Sequence, residues 1–211
     1  MTLGEQALGT TISNMIHVLE TCQPASIILK PKREKSLLNR HPWVFSGAIS
    51  RFEGQPRSGD TVDVLAADGR WLARGAYSPH SQIRVRAWSF DQAEVIDPVF
   101  FERRLQQALD LRRRIISSAV TDACRLVAGE SDGLPGLIVD RYGNWVVAQF
   151  LSAGTERWKS AIVHSLNDLI PDLAGIYERS DVDVRKKEGL VPVVGRLFGA
   201  EPPGQVEIKE N

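Results

Sequence analysis

A long amphipathic helix divides this chain into two β-rich stretches, and it limits the possible folds more than any other feature. Asp97 suits the N-cap of a helix, and Pro98 suits its first position. Apolar residues then recur at helical spacing: Phe101, Leu105, Ala108, Leu109, Ile115 and Ile116. Strand-like runs lie on both sides, so the sequence predicts an α+β protein in which a connector helix, residues 96–122, joins two modules.

Residues 26–95, before the helix, have the pattern of a small β-barrel. Thr61–Leu65 alternates apolar and polar residues, and Asp68-Gly69 is a hairpin turn signal after it. Several short strands separated by turns predict a barrel or a sandwich. Residues 1–25 do not follow this pattern and are interpreted as an N-terminal extension.

Residues 123–190, after the helix, predict a second module. The expected order is strand, strand, strand, helix, strand, which favours an α+β sandwich. The ranges are Arg125–Ala128, Leu137–Asp140, Trp145–Leu151, Thr155–Ile170 and Gly175–Glu178. Residues 191–211 are rich in Pro and Gly, and they are interpreted as a linker or a meandering hairpin.

Composition excludes several classes of protein. The 26 basic and 26 acidic residues of this 211-residue chain balance, so any case for nucleic acid depends on local charge. Cys22 and Cys124 are far apart and fit no metal spacing, which favours a reducing compartment. No apolar run is long enough to span a bilayer. The sequence predicts a cytoplasmic protein with no metal site, no membrane partner and no catalytic residue.

Local charge is concentrated at the start of the first module. Residues 26–60 contain seven Lys or Arg and three Asp or Glu, a local net charge of +4. Such side chains supply the phosphate contacts that dominate affinity for nucleic acids. The predicted RNA-binding residues are Lys30, Lys32, Arg33, Lys35 and Arg40. A solvated charged face is the alternative, and Trp43 is interpreted as a core residue.

A second candidate lies on one predicted strand. Period-2 geometry places Arg84, Arg86 and Trp88 on the same face, so the two arginines are predicted to assist RNA binding. The alternative is an exposed strand face whose aliphatic stems cover apolar surface.

Three further motifs invite functional interpretations. Arginines on the connector helix are explained by ion pairs or by packing between modules. The loop at 130–136 has two carboxylates, but its Asp-Gly and Pro-Gly pairs favour a shaped turn over a metal or acid–base site. In the segment 179–189, Ser180 is a candidate cap for a short helix, whose basic residues suit the helix dipole or a phosphate.

Two pairs of sequence stretches carry a resemblance to a known family. LKPKREKSLLNRHPWVFSGAI and ARGAYSPHSQIRVRAW, within residues 26–90, resemble a PUA domain, a small RNA-binding barrel. GESDGLPGLIVDRYGN and RSDVDVRKKEG resemble the central module of the same family, the PUA-type large-subunit ribosomal RNA methyltransferase I proteins. These are cytosine-C5 methyltransferases that use S-adenosylmethionine.

The resemblance implies RNA binding by the barrel, with large-subunit ribosomal RNA as the partner. In the family, a Rossmann-like C-terminal domain holds S-adenosylmethionine and the cysteine nucleophile. That domain is expected to be absent from this chain. The chain is therefore expected to be the RNA-binding and scaffold portion of such an enzyme, inactive alone and without a cofactor of its own.

Two other interpretations stay open. In the first, the chain is not part of a methyltransferase but a standalone RNA-binding or assembly module without catalysis. A third hypothesis gives the second module a role in dimerisation or docking, so a homodimer is also left open.

Overall fold

The computed structural model describes residues 24–117 and 119–210, so the extension expected at residues 1–25 falls almost wholly outside the described part. The first module contains six strands and one short helix: β1 (Ser26–Leu29), α1 (Lys35–Leu38), β2 (Trp43–Phe45), β3 (Ile49–Glu53), β4 (Thr61–Leu65), β5 (Trp71–Tyr77) and β6 (Ile83–Ser89). The strand order is β2-β6-β5-β4-β1-β3.

This first sheet curls because its two end strands are neighbours in the sequence. A 3₁₀ turn of three residues, Ser46–Ala48, leads directly from β2 to β3. The strands pair antiparallel except β1 and β4, which run parallel. Apolar side chains of the strands and of α1 form its core: Ile27, Leu29, Leu37, Val44, Val62, Val64 and Val85.

The connector helix α2 spans Pro98–Ile115. Its predicted start is confirmed, because Asp97 Oδ1 accepts a hydrogen bond from the backbone nitrogen of Phe100 at 2.8 Å. The predicted apolar stripe is wrong at its end, where Ile115 is 68% exposed. Phe100, outside the predicted stripe, is buried with Phe101, and their rings pack edge to face at 5.2 Å.

The second module has a five-stranded sheet with helices on it. Its elements are β7 (Ala123–Ala128), β8 (Leu137–Tyr142), β9 (Trp145–Phe150), α3 (Ala153–Arg157), α4 (Lys159–Leu169), β10 (Gly175–Ser180), α5 (Val184–Lys187) and β11 (Val193–Gly199). The strand order is β11-β10-β9-β8-β7, and only the pair β9–β10 is parallel within the described sheet. Helices α2 and α4 pack together. The expected α+β class with mixed sheets is thus observed.

One predicted helix of the second module differs from the structure. The single helix expected at 155–170 is two helices, because Trp158 between them has ψ of 7° and its backbone ends α3 before α4 begins. The Trp158 ring packs on Phe101 of α2, with centroids 5.0 Å apart. Ser152 caps α3 by accepting from the backbone of Thr155.

The expected linker at 191–211 contains strand β11, which pairs with β10 along its whole length. The Gly and Pro residues of 191–211 are typical of loops, so the sequence did not indicate a strand there. At Gly199, φ is 70°, and a Cβ atom would lie 2.2 Å from the carbonyl oxygen of Ala174. Glycine is therefore required there by close packing of the backbone, not by linker flexibility.

Candidate nucleic-acid interface

The face of β6 predicted to bind RNA is covered by the second module. The Arg86 guanidinium lies 3.0 Å from Glu188 and 3.6 Å from Glu130, and its side chain is 11% exposed. Glu188 is 1% exposed and also accepts from the backbone nitrogen of Ala153. Arg86 is thus an ion-pair residue of the junction, and its prediction as a phosphate contact is corrected.

Apolar packing closes the same junction. Trp88 is buried, and it belongs to the core that α2 shares with the second sheet. A Cβ atom added to Gly154 would lie 2.3 Å from Ala76 Cβ and 2.8 Å from the Trp88 ring. Since no larger residue fits at 154 without a shift, the start of α3 lies directly on the first sheet.

The Arg84 side chain is only partly accessible for contact with RNA. It is half-buried, and its guanidinium donates to the carbonyl oxygens of Ser78 and Pro79. It also lines a groove with Phe52 and Tyr77, apart from the cleft that Arg33 lines. The structure therefore commits Arg84 to the loop before β6, and it stays only a prediction as an assisting contact.

The acidic loop after β7 is a structural turn, as its Asp-Gly and Pro-Gly pairs predicted. Both carboxylate oxygens of Asp132 accept from Arg112 of α2, at 2.6 and 2.7 Å. One of them also accepts from the backbone nitrogen of Ala128 at 2.6 Å. Gly133 follows with φ of 67°, against the Arg104 side chain. This pairing of helix arginines with the second module agrees with the packing interpretation of the Arg-rich helix face.

Three residues of the segment 179–189 are buried, Ser180, Arg185 and Glu188, and the others are exposed. Arg185 is 1% exposed, and its guanidinium donates to Glu156 and to the carbonyl oxygen of Val191, each at 2.8 Å. Ser180 is buried and accepts from the backbone nitrogen of Phe150, so the predicted cap role is wrong. Helix α5 begins only at Val184. Arg185 therefore holds the chain around β9 and is enclosed by protein.

The predicted cluster of basic residues before β2 lies on the surface. We call these five residues the basic face; all are exposed, and they form no salt bridge with any residue of the described part. They are Lys30, Lys32, Arg33, Lys35 and Arg40. Lys32 and Arg40 have φ of 64° and 60°, in the left-handed region that L-residues rarely adopt. The five cations thus lie on the surface with no acidic partner among the described residues.

Some of these cations touch the protein itself. Lys30 Nζ donates to the carbonyl oxygen of Gly47 at 3.0 Å. Arg40 donates to the carbonyl oxygen of Phe90 at 3.4 Å, and its guanidinium lies 5.2 Å from the centroid of the Phe90 ring. These neutral contacts fix the side chains and leave their charge uncompensated.

An aromatic row beside the basic face was missed by sequence reasoning. His41 precedes β2, and Trp43 and Phe45 lie on it; the His41–Trp43 and Trp43–Phe45 ring centroids are 5.3 and 6.2 Å apart. Phe45 is 49% exposed. Trp43 is half-buried, so it is neither a core residue nor a fully exposed one. Its indole nitrogen donates a hydrogen bond to Glu130 in the junction. The period-2 spacing of the three aromatics was the available signal.

Cys124 of the second module is a half-buried thiol. Burial raises the pKa of the Cys124 thiol, with Arg141 and Arg112 acting in the opposite direction. A thiol with a raised pKa carries less thiolate at neutral pH, so Cys124 is poorly suited to nucleophilic attack. Cys22 lies outside the described residues.

The described residues contain no group of three metal-ligating side chains, and none of their helices could span a membrane.

The described residues do not fit S-adenosylmethionine. In open α/β folds, nucleotide ligands bind beyond the carboxyl ends of parallel strands. Here the parallel pair is β9–β10. Its carboxyl ends are occupied by buried Ser152, Ser180 and Arg185. These three side chains are already hydrogen-bonded within the protein, so no chemical step through this cofactor is assigned to these residues.

Comparison with known proteins gives a consistent result. A family model described as a PUA-like domain matches residues 27–90. Two solved chains, both provisionally assigned as methyltransferases, share the fold. The first, from Streptococcus mutans, is 19% identical with a TM-score of 0.69, over 84% of this chain and 44% of that one. The second, in complex with SAH, is 20% identical with a TM-score of 0.72, over 88% and 46%.

Curated relatives are much more similar in sequence. The ribosomal RNA large subunit methyltransferase I of Klebsiella pneumoniae is 55% identical over 88% of this chain and 46% of that protein. The protein of the same name from Alteromonas mediterranea is 56% identical over 89% and 47%. The resemblance predicted from the sequence motifs is thereby confirmed. By sequence, the chain is a homologue of the ribosomal RNA large subunit methyltransferase I family, and it spans about half the length of the curated relatives it matches.

Proposed function

We propose that this chain is the RNA-binding and scaffold portion of a large-subunit ribosomal RNA cytosine-C5 methyltransferase. The observation that carries the proposal is the basic face beside an exposed aromatic row. Cations without acidic partners favour phosphate, and exposed aromatic rings favour bases. The chain's homology to proteins named for ribosomal RNA methylation makes large-subunit ribosomal RNA the expected partner, in the cytoplasm.

The chemistry of the proposed enzyme is assigned to residues outside this chain. The methyl donor would be S-adenosylmethionine, but the described residues do not fit it. Cys124 has a raised pKa and lies on the strand β7. We therefore expect no methyl transfer by this chain alone, measured with radiolabelled S-adenosylmethionine and a large-subunit ribosomal RNA fragment. Transfer above background would contradict this part of the proposal.

The second module fits a scaffold role. Its Glu188 and Glu130 form ion pairs with Arg86 of the first module, and its Asp132 forms one with Arg112 of the connector helix. The buried ion pairs and the shared apolar core make the two modules one packed unit. Such a unit would hold an RNA substrate at a fixed distance from a catalytic domain.

RNA binding is tested by titrating a large-subunit ribosomal RNA fragment at several salt concentrations, with duplex DNA of equal length as the control. We expect tighter binding to RNA that weakens with salt, because released counterions drive phosphate contacts. Equal binding to both nucleic acids would indicate a non-specific polycation. No binding would contradict the proposal.

A standalone RNA-binding or assembly module remains the second candidate. The same RNA titration would succeed for it, so the distinguishing test adds a separately expressed catalytic half of a relative. Restored methylation supports the enzyme portion, and unchanged inactivity favours the standalone module. A homodimer is tested by light scattering.

A further inference from the structure

A narrow cleft opens next to the basic face, between helix α1 and the turn that joins β2 to β3. Its volume is about 300 Å³, at the lower end of the range for small-ligand sites. Nine residues line it: Leu29, Arg33, Ser36, Leu37, Trp43, Val44, Phe45, Gly47 and Ala48. The cleft thus joins one cation of the basic face to two rings of the aromatic row.

The wall of the cleft combines apolar core residues with polar groups. Leu29, Leu37 and Val44 are each at most 2% exposed, so their lining atoms belong to the core of the first module. Trp43 and Phe45 add two aromatic rings in an edge-to-face arrangement. Two aromatic rings beside polar groups favour a flat ring system that can stack and form hydrogen bonds, over a free phosphate or a metal ion.

The opening of the cleft is cationic and polar. Arg33 and Ser36 line it and are exposed. Lys30 reaches over to the carbonyl oxygen of Gly47, which also lines the cleft. A ligand that matches both parts therefore carries a flat ring at one end and a negative charge at the other.

The backbone of β2 supplies further polar groups. In the described sheet β2 is an end strand and pairs only with β6. The other edge of an end strand presents backbone N–H and C=O groups that no strand pairs. Donors and acceptors beside an aromatic slot can contact the hydrogen-bonding edge of a base.

We propose that this cleft is a binding site for a single unpaired nucleobase of the RNA, stacked on Phe45, with its flanking phosphates on Arg33 and Lys30. This inference rests on the proposed RNA binding and specifies its substrate class as unpaired RNA. In a duplex the faces of the bases are already stacked, so they cannot enter the cleft.

The test uses a ten-nucleotide single-stranded RNA with one 2-aminopurine at its centre, and the same strand annealed to its complement. Phe45→Ala removes the exposed ring, and Phe45→Tyr keeps a stacking surface. Phe52→Ala is the matched control, because Phe52 is similarly exposed, at 43%, and lies in another groove. Charge reversal at Lys32 and Lys35, which do not line the cleft, tests phosphate binding independently of it.

We expect the intact chain to prefer the single strand and to quench the 2-aminopurine fluorescence. Phe45→Ala should weaken single-strand binding by about 5- to 100-fold and abolish the quench, as expected for loss of one stacked base. Phe45→Tyr and Phe52→Ala should retain both. Equal affinity for both RNAs, unaffected by Phe45→Ala but reduced by charge reversal, would overturn the cleft and leave the proposed function standing. No binding of either RNA would overturn both.

Discussion

The indole nitrogen of Trp43 donates a 2.8 Å hydrogen bond to Glu130, a residue 87 positions later in the chain. Trp43 stands in the aromatic row of the first module, and Glu130 begins the acidic loop of the second. The Arg86 guanidinium lies 5.7 Å from the Trp43 ring centroid and pairs with Glu130 and Glu188. The candidate RNA surface is therefore anchored to the second module through one aromatic side chain.

Replacing Glu130 should loosen this anchor. Glu130→Ala removes the acceptor of the Trp43 indole and one partner of Arg86, so we expect a loss of about 1–3 kcal/mol in the free energy of unfolding. Glu130→Gln keeps an acceptor oxygen and should lose less. Urea denaturation measures both, and tryptophan emission should move to longer wavelength only in Glu130→Ala. Identical stabilities of the two variants would show that the hydrogen bond contributes nothing.

Replacing Arg86 should cost more, because it leaves a buried charge without its partner. Glu188 is 1% exposed, and loss of one partner of a buried ion pair typically costs about 3–5 kcal/mol. We expect Arg86→Ala to fall in this range by urea denaturation. Arg51→Ala is the control, since its pair with Glu53 is 61% and 54% exposed and should be worth less than about 1 kcal/mol. Similar losses for both variants would refute a buried junction.

Acid should weaken the second module through Glu156. Burial alone would raise the pKa of Glu156, but hydrogen bonds from Lys159 and Arg185 outweigh it and hold this pKa below its ordinary value. A depressed folded pKa gives stability that is present above the unfolded value, about 4.3, and lost as pH falls toward the folded pKa.

The stability difference between the intact chain and Glu156→Gln should therefore be largest above about pH 5 and should shrink as the pH falls below about 4.3. Urea denaturation at a series of pH values measures it. Ser160→Ala, which alters an exposed and uncharged side chain on α4, serves as the control and should show no such change between pH 3 and pH 5. A difference for Glu156→Gln that stays constant over this interval would contradict the assignment.

Cys124 should react slowly with alkylating reagents. Because burial raises its pKa, the thiolate population in the folded protein at neutral pH is below that of a free cysteine. Iodoacetamide should modify Cys124 more slowly in the native chain than in urea, with the native rate rising at higher pH. The measurement uses a Cys22→Ala background so that only one thiol reports. Equal native and unfolded rates would contradict the burial argument.

Most strands and the long helix were predictable, because they depend on local periodicity and on turn and cap residues. Thr61–Leu65 was predicted with its observed bounds, and Asp97 caps α2 as expected. Strand β11 was not predictable from Val193–Gly199, because glycine is depleted in strands and Gly199 is required there only by close packing against Ala174 and Gly175.

The candidate site was only half predictable for a related reason. Charge clustering identified the stretch from Lys30 to Arg40, in which five basic residues outnumber one acidic residue, Glu34. Arg86 has the same composition signal, but contacts 102 residues away with Glu188 decide its role. Phe45 looked like an ordinary strand residue. Its exposure depends on the position of β2 at the end of the sheet.

The most direct test of RNA binding by the basic face is the salt dependence of binding to a large-subunit ribosomal RNA fragment after charge reversal. Lys32→Glu with Arg33→Glu should weaken binding and reduce the slope of log affinity against log salt by roughly one unit per lost phosphate contact. Arg114→Glu with Lys209→Glu makes the same change in net charge at two exposed positions outside the basic face and should leave the slope nearly unchanged. Equal slopes for the intact chain and the Lys32/Arg33 variant would contradict the account.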